Sequence, residues 1–392
     1  PNLYTAFYRW GHLRLGDWPV LWFAPNDFLL TTWLMEWVRG FIVLPLVGGG
    51  LYGLLPSSYR SREEVFEWPI LMSGVLGIGL TYIWMMRSEI REIWNKVRGK
   101  RSTYDDSNEP IPIKWSFWGL IAGLVIVILY MMVMLKVSVV LALFSTLMFI
   151  CFALTYGRMA AETGLSSGLT ASAGGTISTG WLTNMVDVKM WGVNNVLGAT
   201  LIEQIYDGRM PNLFHRTLVG WKMGDGADVK RRNITIMIGC AFLLGMLGSY
   251  FFTLPMFYEG GHSPDTWRMR YALARTEGVL DWATGKKEAF ATNPYVLITS
   301  IMSVLLIFGT GWARSNFARF PFHPLGVWVG SSYIGRWYLD ASFGVWLIKT
   351  LVLRYGGGRL YRALIPFWIG IILGDAFHVL FQYLATMIKV LL

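Results

Sequence analysis

Five stretches of this sequence, 68–86, 115–135, 137–157, 233–258 and 289–313, contain no charged residue at all. A helix crosses the hydrocarbon core of a bilayer with roughly 20 mostly apolar residues, so each stretch predicts one membrane span. Composition agrees: 54% of the 392 residues are hydrophobic and only 15% are charged, against about 25% charged in soluble globular domains. That balance excludes a soluble enzyme, a disordered tail and a disulfide-stapled secreted module. The two cysteines, Cys151 and Cys240, lie inside apolar runs, where a thiol behaves as a small hydrophobe.

Three further apolar runs are interrupted. The run 41–55 follows Glu36 and Arg39, 341–353 contains Lys349, and 363–388 contains Asp375 and His378. Charges inside spans are costly and normally face a bundle interior or a watery cavity. The resulting expectation is an all-α polytopic membrane protein of about eight transmembrane helices, with one or two re-entrant or broken segments. Residues 1–39 form an N-terminal interfacial segment in this reading, and 40–392 a membrane helical domain. Tryptophans at the ends of the runs, among them Trp68, Trp84, Trp115, Trp312 and Trp337, suit the interfacial aromatic belts of membrane proteins.

The formal net charge is +10. No basic stretch is free of neighbouring acids, so the excess points to anionic lipid headgroups and cytoplasmic loops rather than to nucleic acid. Loop 87–114 carries seven basic residues against five acids and is expected in the cytoplasm. Loop 201–232, with six basic residues, returns to the same side, and loop 259–288 lies opposite. The setting expected is a prokaryotic cytoplasmic membrane. The chain opens on Pro1, which predicts processing or a piece of something longer.

The segment 163–186, TGLSSGLTASAGGTISTGWLTNMV, is uncharged yet dominated by Gly, Ser and Thr. Glycine costs about 1 kcal/mol against alanine in a helix interior, and Ser and Thr compete for the backbone. Irregular backbone at membrane depth survives only where it is buried in protein or lines a cavity, so this segment is expected to be re-entrant or broken. A helix packed closely through its small residues is the other reading. Arg158 and Glu162 precede it at a spacing that shares one helical face. They form either an interfacial ion pair or, with Thr163, Ser166, Ser167, Gly174 and Gly175, the lining of a solute cavity.

Asp375 and His378 lie three residues apart about 15 residues into the last apolar run, a spacing that suits a proton-coupling pair or a polar packing pair. In RFPFHPLG the prolines flanking His323 predict a turn, with the histidine structural and the following GVWVGSS a possible second re-entrant loop. No zinc-protease, P-loop, paired-cysteine or nucleophile-elbow motif occurs. No catalytic residue, metal or cofactor is therefore expected.

The stretches FARFPFHPLGVWVGSS and VWLIKTLVLRYGGGRLYRALIPFWIGIILGDAFHVLF, with TYGRMAAETGLSSG earlier, resemble an uncharacterised prokaryotic membrane protein family related to the oligopeptide transporter superfamily. The resemblance covers about 137–392 and implies a secondary transporter of repeated helical units with proton or ion coupling. Members of that superfamily are longer, with about twice as many spans, so a chain of this size would be a fragment or a half that pairs. Two expectations follow. One is a transporter of small peptides or related organic solutes, in which Arg158 and Glu162 shape the site and Asp375 with His378 couples it. The other is a non-catalytic membrane subunit of a homo-oligomer or larger complex.

Overall fold

A computed structural model of the chain describes residues 17–48, 68–164, 188–205, 213–253, 294–332 and 335–391, with a few isolated positions between them. No strand occurs among the described residues. Five described helices are long and apolar enough to cross a membrane: Ile113–Val133, Val139–Thr163, Arg231–Phe252, Pro294–Asn316 and Ile365–Ala385. A bent pair, Pro69–Met85 with Arg87–Val97, raises this to six if counted as one span. The protein is an all-α integral membrane protein on this basis. Of the two remaining expected spans, 41–55 overlaps the end of the helix Asn26–Gly48 and otherwise lies outside the described residues, and 341–353 falls largely in the helix Gly335–Leu351, which carries Lys349.

In chain order the helices are α1 (Asp17–Trp22), α2 (Asn26–Gly48), α3 (Trp68–Met85), α4 (Arg87–Val97), α5 (Ile113–Val133), α6 (Val139–Thr163), α7 (Val188–Trp191) and α8 (Val193–Ile205). They continue with α9 (Leu213–Gly226), α10 (Arg231–Gly248), α11 (Pro294–Asn316), α12 (Pro324–Ser331), α13 (Gly335–Leu351), α14 (Gly357–Ala363) and α15 (Ile365–Leu391). Single π turns extend α10 over Ser249–Thr253 and α13 over Val352–Gly356. The chain divides into two compact units, the first comprising Pro1–Ile78, Arg158–Ala173 and Ile298–Leu392, the second Gly79–Gly157 and Gly174–Leu297.

The first unit is organised around α12. All of Pro324 to Gly330 is buried, and eight residues rise only about 12 Å, too short to span a bilayer. Two glycines one turn apart let this helix touch α2 backbone to backbone. A Cβ on Gly326 would stand 2.9 Å from the Phe28 carbonyl oxygen, and one on Gly330 would stand 2.2 Å from that of Thr32. On its other side Trp328 fills the notch left by Gly74 and donates its indole N–H to the Leu71 carbonyl at 3.0 Å.

Residues 17–39, expected as an interfacial segment, supply some of the most buried side chains of this unit: Leu21, Trp22, Phe28 and Leu29. Trp22 stacks on Tyr361 and Trp368, with centroids 5.4 and 4.9 Å away. The α1–α2 corner is held from α13. Buried Lys349 donates from Nζ to the carbonyls of Trp22 (2.9 Å) and Ala24 (2.7 Å), and Asn26 donates to Thr350 Oγ1 at 3.0 Å. The ammonium thus satisfies carbonyls orphaned where α1 ends, an interaction the negative end of a helix favours. Arg39 donates to Glu36 one turn away within α2, and both are almost fully buried.

In the second unit α5 and α6 form a tight hairpin with Lys136 at φ 53°. Val137 fills the space over Gly198 of α8, and Asn195 accepts the Ser138 N–H at 2.6 Å. Where a straight α3 span would have continued, the chain turns by 62° into α4, a polar amphipathic helix. Its Arg87 and Arg98 lie over Trp84 and Trp94, 4.4 and 4.3 Å from the ring centroids. The expected basic loop is therefore largely a helix followed by a strapped turn, in which Lys96 Nζ donates to Asp106 at 2.7 Å and to the Tyr104 carbonyl at 2.6 Å. Loop 201–232 likewise contains α9, and loop 259–288 lies outside the described residues.

Two outcomes test this account. Gly330→Ala forces α12 off α2 and is expected to cost about 1–3 kcal/mol. By contrast Gly119→Ala, whose Cβ meets nothing within 4 Å, leaves the melting temperature of the lipid-reconstituted protein unchanged or slightly raised. The second concerns the strapped turn. The Lys96 ammonium and the Ile113 N–H hold the Asp106 carboxyl below its ordinary range, so the strap is complete above the unfolded carboxylate pKa of about 4. It is lost as pH falls through the depressed value. Hydrogen exchange of residues 102–113 is expected to stay slow down to about pH 4 and to accelerate below it, whereas Lys96→Met accelerates it already at neutral pH.

Candidate functional site

Helix α6 ends at Thr163, and Gly164 follows at φ 69°, the left-handed conformation that closes helices. Thr163 is buried and its hydroxyl donates back to the Met159 carbonyl at 2.6 Å. The last turn exposes two charges of the first unit. Arg158 donates to Glu162 Oε1 at 2.5 Å, with side chains 42% and 25% exposed. A carboxylate at a helix C-terminus meets the negative end of the backbone dipole, so Glu162 needs cations or donors around it.

The second neighbour of Glu162 is His323. It stands in extended conformation before Pro324 as the N-cap of α12. Its Nδ1 accepts the Leu325 N–H at 3.2 Å and its own N–H donates to Thr31 Oγ1 at 3.0 Å. Because Nδ1 accepts, the neutral ring carries its proton on Nε2, and Nε2 lies 3.3 Å from Glu162 Oε2. Phe28 covers the imidazole edge-on, 5.7 Å between centroids, and the ring is 2% exposed. Thr31 in turn donates to the Asp27 carbonyl at 2.6 Å, and the Asp27 carboxylate meets Arg314 at the end of α11 at 2.6 Å. Contacts therefore follow one another from Arg158 through Glu162, His323 and Thr31 to Asp27 and Arg314, with hydrogen bonds at Arg158–Glu162, His323–Thr31 and Thr31–Asp27 and charge-pair distances at Glu162–His323 and Asp27–Arg314, all within the first unit.

Chemically this is a half-buried carboxylate between a guanidinium and an imidazole N–H. It can accept a proton, which removes a negative charge from beside the Arg158 guanidinium. Among the described residues no group of three His, Cys, Asp or Glu side chains is placed to hold a metal ion.

Of the residues singled out in the sequence, the structure brings Arg158, Glu162 and Thr163 to one helix end. Ser166, Ser167, Gly174 and Gly175 lie outside the described residues, as does most of 163–186. Asp375 and His378 are exposed on α15, and no contact among the described residues joins them to Glu162. His323 caps α12 in the turn the sequence suggested, and it adds an approach to Glu162 that the sequence did not show. Thr31, Asp27 and Arg314 carried no local signal. In the second unit an open cleft of about 870 Å³ between 106–112 and 225–232 mixes both signs of charge, its Arg231 held by Asp225 and Glu109.

Replacing His323 separates its two roles. His323→Ala removes the cap and is expected to lower stability by about 1–2 kcal/mol, while His323→Asn, a good cap too short to reach Glu162, restores most of it in thermal melts of the reconstituted protein. Equal melting of all three proteins would dismiss the capping role.

A family model matches residues 20–390, and its description is a family of unknown function, DUF6785. Nothing in it links the chain to the oligopeptide transporter superfamily. Neither a curated protein nor a solved structure matches the chain. With nearly its whole length matched, this helical membrane protein belongs to the DUF6785 family.

Proposed function

We propose that the protein works as a secondary transporter of small peptides or related organic anions, driven by protons that load Glu162. One observation carries this reading: at the end of an apolar helix, the Glu162 carboxylate is held by Arg158 and has the Nε2 of buried His323 3.3 Å away. Ionisable groups at such places are expensive and are kept for function more often than for stability. In the proposed cycle the ionised Glu162 occupies Arg158 and excludes the solute. Protonation of Glu162 weakens its hold on the guanidinium, which then competes for a solute carboxylate through charge-assisted N–H donors. Proton and solute favour the same state, which is what coupling requires. His323, fixed by its cap and by Thr31, keeps the carboxylate aimed at Arg158. Asp375 and His378, expected as the coupling pair, have no contact with Glu162 among the described residues and are given no step in this cycle.

A second reading, a non-catalytic subunit of a larger assembly, draws on a different observation. Helices α5, α10 and α15 have almost no surface covered by the chain itself, as in a protein surrounded by partners.

The test is uptake of a mixed oligopeptide pool into liposomes containing the purified protein, with and without a pH gradient. Wild type is expected to accumulate solute with the gradient. Glu162→Gln loses the gradient dependence, and Arg158→Ala lowers solute binding on the order of 10- to 100-fold, the equivalent of one charge-assisted contact. Absence of uptake by folded wild type under every gradient would overturn the transporter and leave the subunit reading.

A further inference from the structure

The most out-of-place chemistry in the molecule is on α15. Asp375 sits at the centre of the apolar window Ile365–Ala385, about 15 Å from its start. Its carboxylate has no hydrogen bond or ion pair among the described residues, and it is exposed. His378, one turn on, is exposed as well. Its Nε2 lies 3.0 Å from Gln382 Nε2. An amide nitrogen can only donate, so the imidazole accepts there and its neutral form carries the remaining proton on Nδ1. Among the described residues nothing pairs with this acceptor or with this donor, in a window apolar enough to lie at membrane depth, where lipid offers neither a partner.

The same helix has a surface made for close approach. Gly370, Gly374, His378 and Gln382 recur every four residues and share one face, with Asp375 beside Gly374 on its edge. A Cβ on Gly370 or on Gly374 would meet nothing within 4 Å, so neither glycine is explained by contacts inside the chain. Helix α5 has a similarly open pair, Gly119 and Gly123, but no ionisable group beside it, and lipid can cover that face. Lipid cannot cover Asp375 without a large cost.

We propose that a second copy of this chain covers α15. The two α15 helices cross at Gly370 and Gly374, and Asp375 of each copy accepts a hydrogen bond from His378 Nδ1 of the other. The occupant is a second copy because the face complements itself: one helix carries both the carboxylate and the imidazole donor, so a two-fold axis satisfies both at once. Small residues for backbone approach followed by polar residues as glue is the arrangement by which membrane helices associate when hydrophobicity cannot drive them together.

Oxidative cross-linking of full-length protein in liposomes tests this, in a Cys240→Ser background because Cys240 is an exposed thiol. Gln382→Cys, on the stripe, is expected to give a disulfide-linked dimer. Leu380→Cys, on the opposite face of the same helix, is not. Adding Gly374→Leu to Gln382→Cys places bulk where the single chain has open space, so the fold is undisturbed, and is expected to reduce the cross-linked fraction on the order of tenfold. Adding Asp375→Leu is expected to reduce it also. Monomer at every protein-to-lipid ratio, equal cross-linking from positions 380 and 382, or indifference to Gly374→Leu would each overturn the proposal. Those outcomes would give the stripe to another protein, to another segment of the chain, or to no partner.

Discussion

Backbone contact between α2 and α12 is the constraint on which the first unit depends. Two glycines one turn apart remove the side chains that would hold the helices at their usual distance of 8–10 Å. Only then can the Thr31 hydroxyl reach the N–H of His323, and only from that fixed point does the imidazole reach Glu162. The contacts of His323, with Thr31 on one side and Glu162 on the other, are a consequence of steric permission granted at Gly326 and Gly330.

That dependence joins fold and chemistry. The residues that face Glu162 make no long side-chain excursions; they are held by short local devices such as a cap, a threonine bonded to the preceding turn and an ion pair between two helix ends. Burial does the rest by limiting the competition from water that weakens such contacts at a surface. The second unit is built differently. Its polar interactions lie in the turns that join its helices, while α5 and α10 present smooth apolar surfaces.

The sequence showed much of this and missed the remainder for physical reasons. Uncharged runs locate α3, α5, α6, α10 and α11 because the bilayer imposes length and apolarity on each span independently of the others. The pairing of Arg158 with Glu162 was legible because a helix sets their spacing. His323 was legible as a residue in a turn, but its second contact is 161 positions away in the chain, and no local pattern records that. Lys349 read as a defect in a span, whereas it completes the end of α1 from the opposite end of the sequence. The bend after Met85 was invisible for another reason. The apolar run and the charged stretch were both visible, the second as a loop, but hydropathy does not distinguish a helix that stops from one that turns.

Lys349 also has a consequence for where the α1–α2 corner can reside. A break in a helix ordinarily has to lie in contact with solvent, because its terminal carbonyls need donors that only water supplies. Here the donor is tethered to α13 and travels with the protein. The corner is thereby self-solvating, and its depth along the membrane normal is set by the surrounding aromatic rings rather than by the position of the water boundary.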